Sequence, residues 1–470
     1  MSDSLLRLLL DNRQAKKQGG AAIRQFQRTR LADLVAFART NSPYYREVYR
    51  DLPGRIEEAA LLPVTNKKEL MARFDDWVTD REVTIDKVRS FVENPGLIGE
   101  YFLGKYTALT TSGTTGARGL FLLDNRTMAV TNSLALRMLG AWLNTWDVVR
   151  ILVGRVRLAM IMAAGSHFAS AVAAARLRKR LGRRIAILPV DMPLAEMVER
   201  LNRFQPALMT PYASMAAILA SEQDAARLRI QPVLLVLSAE GLTLNEYERI
   251  AKSFNAKVRH SYAATECPFL SYSCEQNWLH VNGDWVIFEP VDANYKPTPP
   301  GQQSHTVLIS NLANRVQPIL RYDLGDSIMQ RSDPCLCGNP LPAIRVQGRA
   351  ADVLTFSMDG EQVRIPPMVF VTLVERIPAI EQIQIVQTTP TGLRVRLRTA
   401  ADAEPDHVWQ EVNTGITRVL TEHKLDRVSV ERAEEPPQQS PGGKYREIVP
   451  MNQVDRWIDQ KNQSPQFLPI

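Results

Sequence analysis

Apolar and polar positions in the first 75 residues recur at helical spacing, most clearly over Ala21–Thr40, where apolar and basic residues alternate around a helix. A loop with Pro53 and Gly54 follows, and LPVTNKKELMARF then predicts a further helix with Thr65 or Asn66 as its N-cap. From about Val148 the pattern changes. Short apolar runs (VRILVG, RIAILPV, ALMTPY, PVLLVLS, KVRHSYA) are separated by amphipathic stretches such as Leu194–Phe204 and Asn245–Phe254. That alternation predicts parallel strands with crossover helices. From Trp285 to Met329 the texture becomes that of hairpins with Pro- and Gly-rich turns. The rest, Val353–Ile470, predicts a small α+β unit with a half-exposed strand at Leu393–Thr399 and a helix at Asp406–His423. The break between the two parts falls near Gly348–Asp352.

The expected fold class is therefore α/β. A large N-terminal domain, residues 1–350, carries parallel or mixed sheets with crossover helices, and a small α+β domain covers 351–470. A chain of 470 residues is long enough for two cores. The longest apolar stretches, Leu158–Gly165 and Val233–Leu237, fall short of a membrane span. The opening MSDSLLRLLLDNRQAKK has a short apolar part and no small-residue cleavage site, so a cytoplasmic protein is expected. The net charge of +7 suits an anionic ligand such as a nucleotide, or an acidic carrier domain. It is spread along the chain except for RLRKRLGRR at Arg176–Arg184, which is either a nucleic-acid patch or a solvated helix end. We expect the helix end, and no nucleic-acid partner.

The most informative stretch is TTSGTTGARG, Thr110 to Gly119. Gly113, Gly116 and Gly119 let the backbone turn and present N–H groups to an anion. Thr111, Ser112, Thr114 and Thr115 add hydroxyls, and Arg118 adds a charge. In physical terms this is a phosphate cradle, but no Gly-Lys-Ser/Thr follows as in a Walker loop. A flexible surface loop has the same composition.

This stretch resembles the signature loop of the adenylate-forming superfamily of acyl- and aryl-CoA ligases, and further motifs follow in the family's order. SAEGL (Ser238–Leu242) resembles the segment against adenine, and YAATE (Tyr262–Glu266) the aromatic-x-x-Thr-Glu motif. RYDLGD (Arg321–Asp326) resembles the Tyr-x-x-Gly-Asp element, and GRAAD (Gly348–Asp352) the Gly-Arg-x-x-Asp hinge. PGGKYRE (Pro441–Glu447) resembles the loop with the catalytic lysine. SPYYRE, LPVTNKKEL and the C-x-C-G pair are similar to the phenylacetate–CoA ligase-like branch, so the resemblance covers nearly the whole chain.

The resemblance implies ATP, Mg2+ and coenzyme A as cofactors and a small carboxylic acid as substrate, expected to be aromatic, with a medium-chain acid as the alternative. The acid becomes an acyl-AMP and passes to the thiol of coenzyme A, with a carrier-protein thiol or an amine as alternative acceptors. It implies that Lys444 bridges carboxylate and α-phosphate, that Thr265 donates to the α-phosphate, and that Glu266 holds Mg2+. The nucleotide would contact Thr111, Ser112, Gly113, Thr114, Thr115, Gly116, Ala239, Glu240, Gly241, Tyr262, Asp326 and Arg349. Tyr262 is either an adenine-stacking ring or core, and Arg349 either a ribose or phosphate contact or a structural ion pair. The acyl pocket would be lined by His167, Phe168, Tyr212 and Ala263, although His167 reads equally as a core or capping histidine. The hinge position, commonly Asp or Lys, is Ala351. Members of a different class, keeping the scaffold only to bind nucleotide, have no need of a mobile lysine.

Cys274 and His280, with Cys335 and Cys337 in a Pro- and Gly-rich knuckle, make three thiolates and one imidazole, a common tetrahedral zinc set. The closed set points to a structural ion; two unrelated pairs of thiols are the alternative. Cys267 is the spare cysteine, and His260 and His305 are weaker rival ligands.

Overall fold

Capping residues shape the start of the chain in this computed structural model. It describes residues 5–111, 119–162, 167–190, 192–238, 244–349, 354–358, 361–365, 370, 373, 377, 379–401, 403–438 and 446–451. After α1 (Leu5–Gln18), Gly19 turns at φ 62° into α2 (Gly20–Asn41), which buries Ile23, Leu31, Leu34, Val35 and Ala38 along one side. The Ser42 hydroxyl accepts from Tyr45 N, and Pro43 in the first turn starts α3 (Pro43–Val48). Of the two predicted caps, Asn66 is the one used: it accepts from Glu69 N at 3.0 Å and opens α4 (Lys67–Ala72). Helices α5 (Phe74–Trp77) and α6 (Ile85–Val92) bury Phe74, Trp77, Val88 and Val92.

Strands β1 (Thr107–Thr110) and β2 (Leu120–Leu123) pair antiparallel, with Thr110 opposite Leu120, so the chain between them leaves and returns at one point. Asp124 caps α7 (Asn125–Trp142) by accepting from Thr127 N. The VRILVG run, predicted as a strand, instead lies in and just after α8 (Thr145–Val153). A reciprocal capping box between Asn144 and Asp147 nucleates that helix, and local hydrogen bonding overrides the β-branched run. The helix leaves Trp146 69% and Val153 78% exposed.

The α/β alternation then runs through β3 (Leu158–Met162), α9 (Ala169–Leu181), β4 (Ile185–Pro189), α10 (Leu194–Phe204), β5 (Leu208–Thr210), α11 (Ala213–Asp224), β6 (Leu234–Leu237), α12 (Leu244–Phe254) and β7 (Lys257–Tyr262). Hairpin strands follow: β8 (Ser271–Ser273), β9 (Leu279–Val281), β10 (Val286–Val291), β11 (Thr306–Asn311), β12 (Ile319–Asp323), β13 (Asp326–Gln330) and β14 (Ala343–Arg349). Among the described residues, nine strands form one sheet in the order β13-β14-β9-β8-β7-β6-β5-β3-β4. β4, β3, β5, β6 and β7 run parallel, and β8, β9 and β14 add antiparallel. A separate three-stranded sheet has the order β10-β11-β12.

The remaining elements are β15 (Leu354–Met358), β16 (Glu361–Ile365), β17 (Ile380–Thr389), β18 (Gly392–Thr399), α13 (Pro405–Glu422), β19 (Ser429–Arg432) and β20 (Ile448–Val449). They include a four-stranded sheet in the order β19-β18-β17-β20. The chain divides into two compact units. One is Met1–Pro211, Arg229–Ser238 and Asn255–Val346; the other is Tyr212–Leu228, Ala239–Phe254 and Gln347–Ile470.

Each unit has its own core. In the first, Trp77, Phe121, Trp285, Ile309 and Tyr322 pack with the N-terminal helices. A buried ion pair stitches it: Arg137 donates to Asp284 Oδ2 at 2.6 Å and Oδ1 at 2.8 Å, and to Asn12 at 2.7 Å. In the second, Phe356, Phe370, Ile385, Val412 and Ile416 are buried together. No helix of the described residues is long and apolar enough to cross a membrane.

Candidate active site

Parallel strands end in loops at the carboxyl edge of a sheet, where open α/β folds place their ligands. β7 brings Tyr262 to that edge, and Ala263, Ala264, Thr265 and Glu266 follow directly. The turn is closed by Ala264 N to Cys267 O and Cys267 N to Ala264 O, both 3.1 Å. Ala263 is exposed and Thr265 half-buried, whereas Glu266 is only 7% exposed. Asn311 on β11 donates to the Glu266 backbone carbonyl at 3.0 Å, and the Tyr322 hydroxyl on β12 donates to Glu266 Oε1 at 3.0 Å. Burial raises the Glu266 carboxyl above its ordinary range, while Tyr322 and the charge of Lys67 pull it back and Asp326 adds to the rise.

Asp326 stands at the first position of β13, after a tight turn in which Gly325 has φ 76°. That left-handed angle suits glycine. Asp323 Oδ1 secures the turn by accepting from Gly325 N at 3.0 Å and Thr306 Oγ1 at 2.5 Å. Tyr262 donates to Asp326 Oδ2 at 2.5 Å, so two separately predicted residues meet. Through that bond the Tyr262 hydroxyl orients a carboxylate.

The base of the phosphate-cradle loop is also defined. Thr111 N donates to Gly119 O at 3.1 Å, and Thr111 Oγ1 accepts from Gly119 N at 2.9 Å. Lys67, from the first turn of α4, donates to the same Oγ1 at 3.0 Å. A cation thus sits at the neck of the loop, with its charge reaching Glu266. Sequence reasoning assigned no role to Lys67 or to Tyr322. Both lie inside segments that the resemblance singled out, but their meeting with Thr111 and Glu266 is a product of tertiary folding.

Other expected residues are placed differently. His167 is fully buried with its ring 5.5 Å from that of Phe91, and burial lowers its pKa. Its carbonyl accepts from Thr110 N at 2.9 Å, so its backbone ties the loop after β3 to the end of β1. Phe168 is half-buried at the N-cap of α9. Tyr212 is buried at the N-cap of α11, within the second unit. Arg349 closes β14. Ser112, Gly113, Thr114, Thr115 and Gly116 lie outside the described residues, as do Ala239, Glu240, Gly241, Ala351 and Lys444.

The second cluster forms at the hairpin edge of the large sheet. The ligand atoms of Cys274, His280, Cys335 and Cys337 all lie within 4.8 Å of one another. Cys274 and Cys335 sulfurs are 3.8 Å apart, and Cys337 Sγ is 3.2 Å from His280 Nε2. Two thiolates bound about 2.3 Å from a tetrahedral ion stand roughly 3.8 Å apart. His280 Nδ1 lies 2.9 Å from the Leu341 carbonyl; donation there fixes the tautomer and turns the Nε2 lone pair toward the thiols. Burial pushes the Cys337 thiol up to about 12 and raises Cys274 too, a cost that a divalent cation among them removes. The donor set fits zinc. His260 on β7 and Cys267, buried beside Glu266, lie outside this set.

Comparison with known proteins gives one fold and one partial relative. No family model matches the chain. Protein CapK of Staphylococcus aureus is 24% identical over 222 residues, 46% of this chain and 47% of CapK, so the match spans about half of that relative. 2-Hydroxyisobutyryl-CoA ligase, solved in the postadenylation state with an acyl-AMP, superposes with a TM-score of 0.65 at 21% identity, covering 96% of this chain and 94% of that one. The same ligase in its thioesterification state, with 2-HIB-AMP and CoA, gives a TM-score of 0.53 at 20% identity over the same shares. The chain has the fold of 2-hydroxyisobutyryl-CoA ligase.

Proposed function

We propose that this chain activates a small carboxylic acid with ATP and transfers the acyl group to the thiol of coenzyme A. The observation that carries the reading is a set of three fixed pairs: Lys67 on Thr111 Oγ1 at the neck of the loop, Tyr322 on Glu266, and Tyr262 on Asp326. A cation, a hydroxyl at a loop neck, and two acidic side chains are what a nucleoside triphosphate and its metal require.

In the first step the acid's carboxylate attacks the α-phosphorus of ATP, and pyrophosphate leaves as acyl-AMP forms. Negative charge concentrates on phosphorus, so fixed cations and donors there lower the barrier. Lys67 adds positive charge at the neck of the loop, Thr265 donates to the α-phosphate, and Asp326 accepts from the ribose hydroxyls. A carboxylate suits that role because its two oxygens can accept several hydrogen bonds at once, and Tyr262 already holds the group in place. Glu266 fits Mg2+, which neutralises the phosphates when bound, since a hard cation shared with phosphates needs one or two protein carboxylates. Lys444 bridges the reacting groups, as the resemblance implies. In the second step the thiol attacks the acyl carbonyl and AMP leaves. The postadenylation and thioesterification states of 2-hydroxyisobutyryl-CoA ligase supply the analogy.

A small aromatic acid is our first choice of substrate, in the manner of the phenylacetate–CoA ligase-like branch. The Cys274–His280–Cys335–Cys337 set holds a structural zinc with no open coordination position. The test is acid-dependent pyrophosphate release from ATP and Mg2+ across aryl and aliphatic acids, with coenzyme A, a carrier-protein thiol or hydroxylamine as acceptor. One acid should stimulate release, and Lys444→Ala and Glu266→Gln should each abolish most of it. ATP binding with no release from any acid would replace this reading by a non-catalytic nucleotide-binding scaffold.

A further inference from the structure

The Tyr322 side chain is buried inside the first unit, yet its hydroxyl is spent on a single carboxylate oxygen, Glu266 Oε1, at 3.0 Å. The backbone around it is held from two sides. On one side Tyr322 pairs with Ile309 of β11. On the other, Thr65 runs alongside as an added parallel bridge: Thr65 N donates to Arg321 O at 3.1 Å and Asp323 N to Thr65 O at 2.8 Å. The buried Thr65 hydroxyl adds a bond to Leu320 O at 3.0 Å. The predicted cap residue is therefore a clamp on the strand that carries Tyr322. Glu266 is pinned a second time through its carbonyl by Asn311 on the neighbouring strand. A glutamate has three rotatable side-chain bonds, and a metal ligand free to use all of them loses affinity to entropy.

We infer that Tyr322 is a positioning residue for divalent-cation binding: by donating to Oε1 it fixes the rotamer in which the Glu266 carboxylate meets the cation that accompanies the triphosphate. A protonated phenol suits this task, because it donates to the carboxylate without competing as a charge. Metal-ligating carboxylates are typically oriented by such hydrogen bonds, and removing the partner typically costs about 10–100-fold in metal affinity. The inference rests on the reading of Glu266 as a cation ligand, and the experiment separates the two.

Mn2+ is titrated into the full chain with a non-hydrolysable ATP analogue, and free Mn2+ is read by electron paramagnetic resonance. Calorimetry with the metal-free analogue gives nucleotide affinity by itself. Tyr322→Phe should weaken Mn2+ binding roughly tenfold or more, leaving metal-free nucleotide affinity within about twofold of wild type. Glu266→Gln should weaken Mn2+ binding further. If Tyr322→Phe binds Mn2+ as wild type does while Glu266→Gln does not, the positioning role is wrong and the assignment of Glu266 stands. If Glu266→Gln also binds Mn2+ normally, both fall. Melting temperatures certify folding. Should the Phe variant not fold, Tyr322→Leu, which offers no donor to Glu266, replaces it: wild-type Mn2+ affinity there would also overturn the inference.

Discussion

Lys67 shows how much chemistry a single side chain gains from where its neighbours are placed. Its ammonium donates to Thr111 Oγ1 and its charge reaches the buried Glu266, so it serves the neck of the loop and a carboxylate together. Replacing Lys67 by Ala removes its charge-assisted hydrogen bond to Thr111 Oγ1, and bonds of that kind are worth about 1.5–3 kcal/mol. Adenylation measured by pyrophosphate release should fall roughly 10- to 100-fold in kcat/KM for ATP, with the acid's own affinity little changed. Nothing at residue scale in the sequence sets Lys67 apart from the neighbouring Lys68. What separates them is that Asn66 caps the helix, which fixes the face on which each lysine emerges. Glu266, Asp326 and Tyr262 were singled out because they stand in motifs, and the hydrogen bond that joins Tyr262 to Asp326 was not foreseen; Tyr322 appeared only as a letter in its motif. His167 was weighed as both pocket and core, and its ring packs against Phe91.

At the scale of elements, the β1–loop–β2 hairpin depends on one glycine. A Cβ at Gly119 would lie 2.7 Å from Phe121 Cε2, 2.9 Å from Lys67 Cε and 3.1 Å from Thr111 Oγ1. The Phe121 ring is in the core and cannot retreat cheaply, so Gly119→Ala should cost about 1–3 kcal/mol in chemical denaturation. Because the same methyl displaces Lys67, adenylation should drop by more than the stability loss alone explains. Elements with a clean period were readable: Leu393–Thr399 lies in β18 and Asp406–His423 overlaps α13 within a residue at each end. The run at Val149–Gly154 was not, since short apolar runs suit strand and helix alike. The Asn144–Asp147 capping box decided it, and the helix so formed keeps Trp146, Leu152 and Val153 on the surface. Burial was the assumption that failed there.

Across the whole molecule, one long-range fastening in the first unit is polar. Arg137 on α7 grips Asp284 with two bonds while also reaching Asn12 on α1, and Arg30 on α2 donates to the Asp284 carbonyl. The two charged side chains are almost fully enclosed, at 7% and 0% exposure. Asp284→Ala would strand a guanidinium in the interior, and such losses cost about 3–5 kcal/mol. Urea unfolding of the variant should show that decrease, and a change under 1 kcal/mol would mean that water reaches Arg137. The large-scale arrangement of alternating strands and helices followed from hydrophobic pattern. This fastening did not, because nothing local joins residues 12, 137 and 284.

The knuckle cysteines have a consequence for how the chain assembles. His280 and Cys337 are 57 residues apart, and the polypeptide between them contains β10 to β13, including Tyr322 and Asp326. A zinc ion held by both ends would act as a removable cross-link, shortening the search for those strands by closing a long loop in the unfolded chain. Refolding from denaturant with one equivalent of Zn2+ should therefore outpace refolding with a chelator, and the chelated protein should melt at a lower temperature. Equal rates and equal melting points would mean that the thiols pack without a metal. Bound there, such an ion would take no part in the proposed chemistry and would still set how promptly the strands carrying Tyr322 and Asp326 come together.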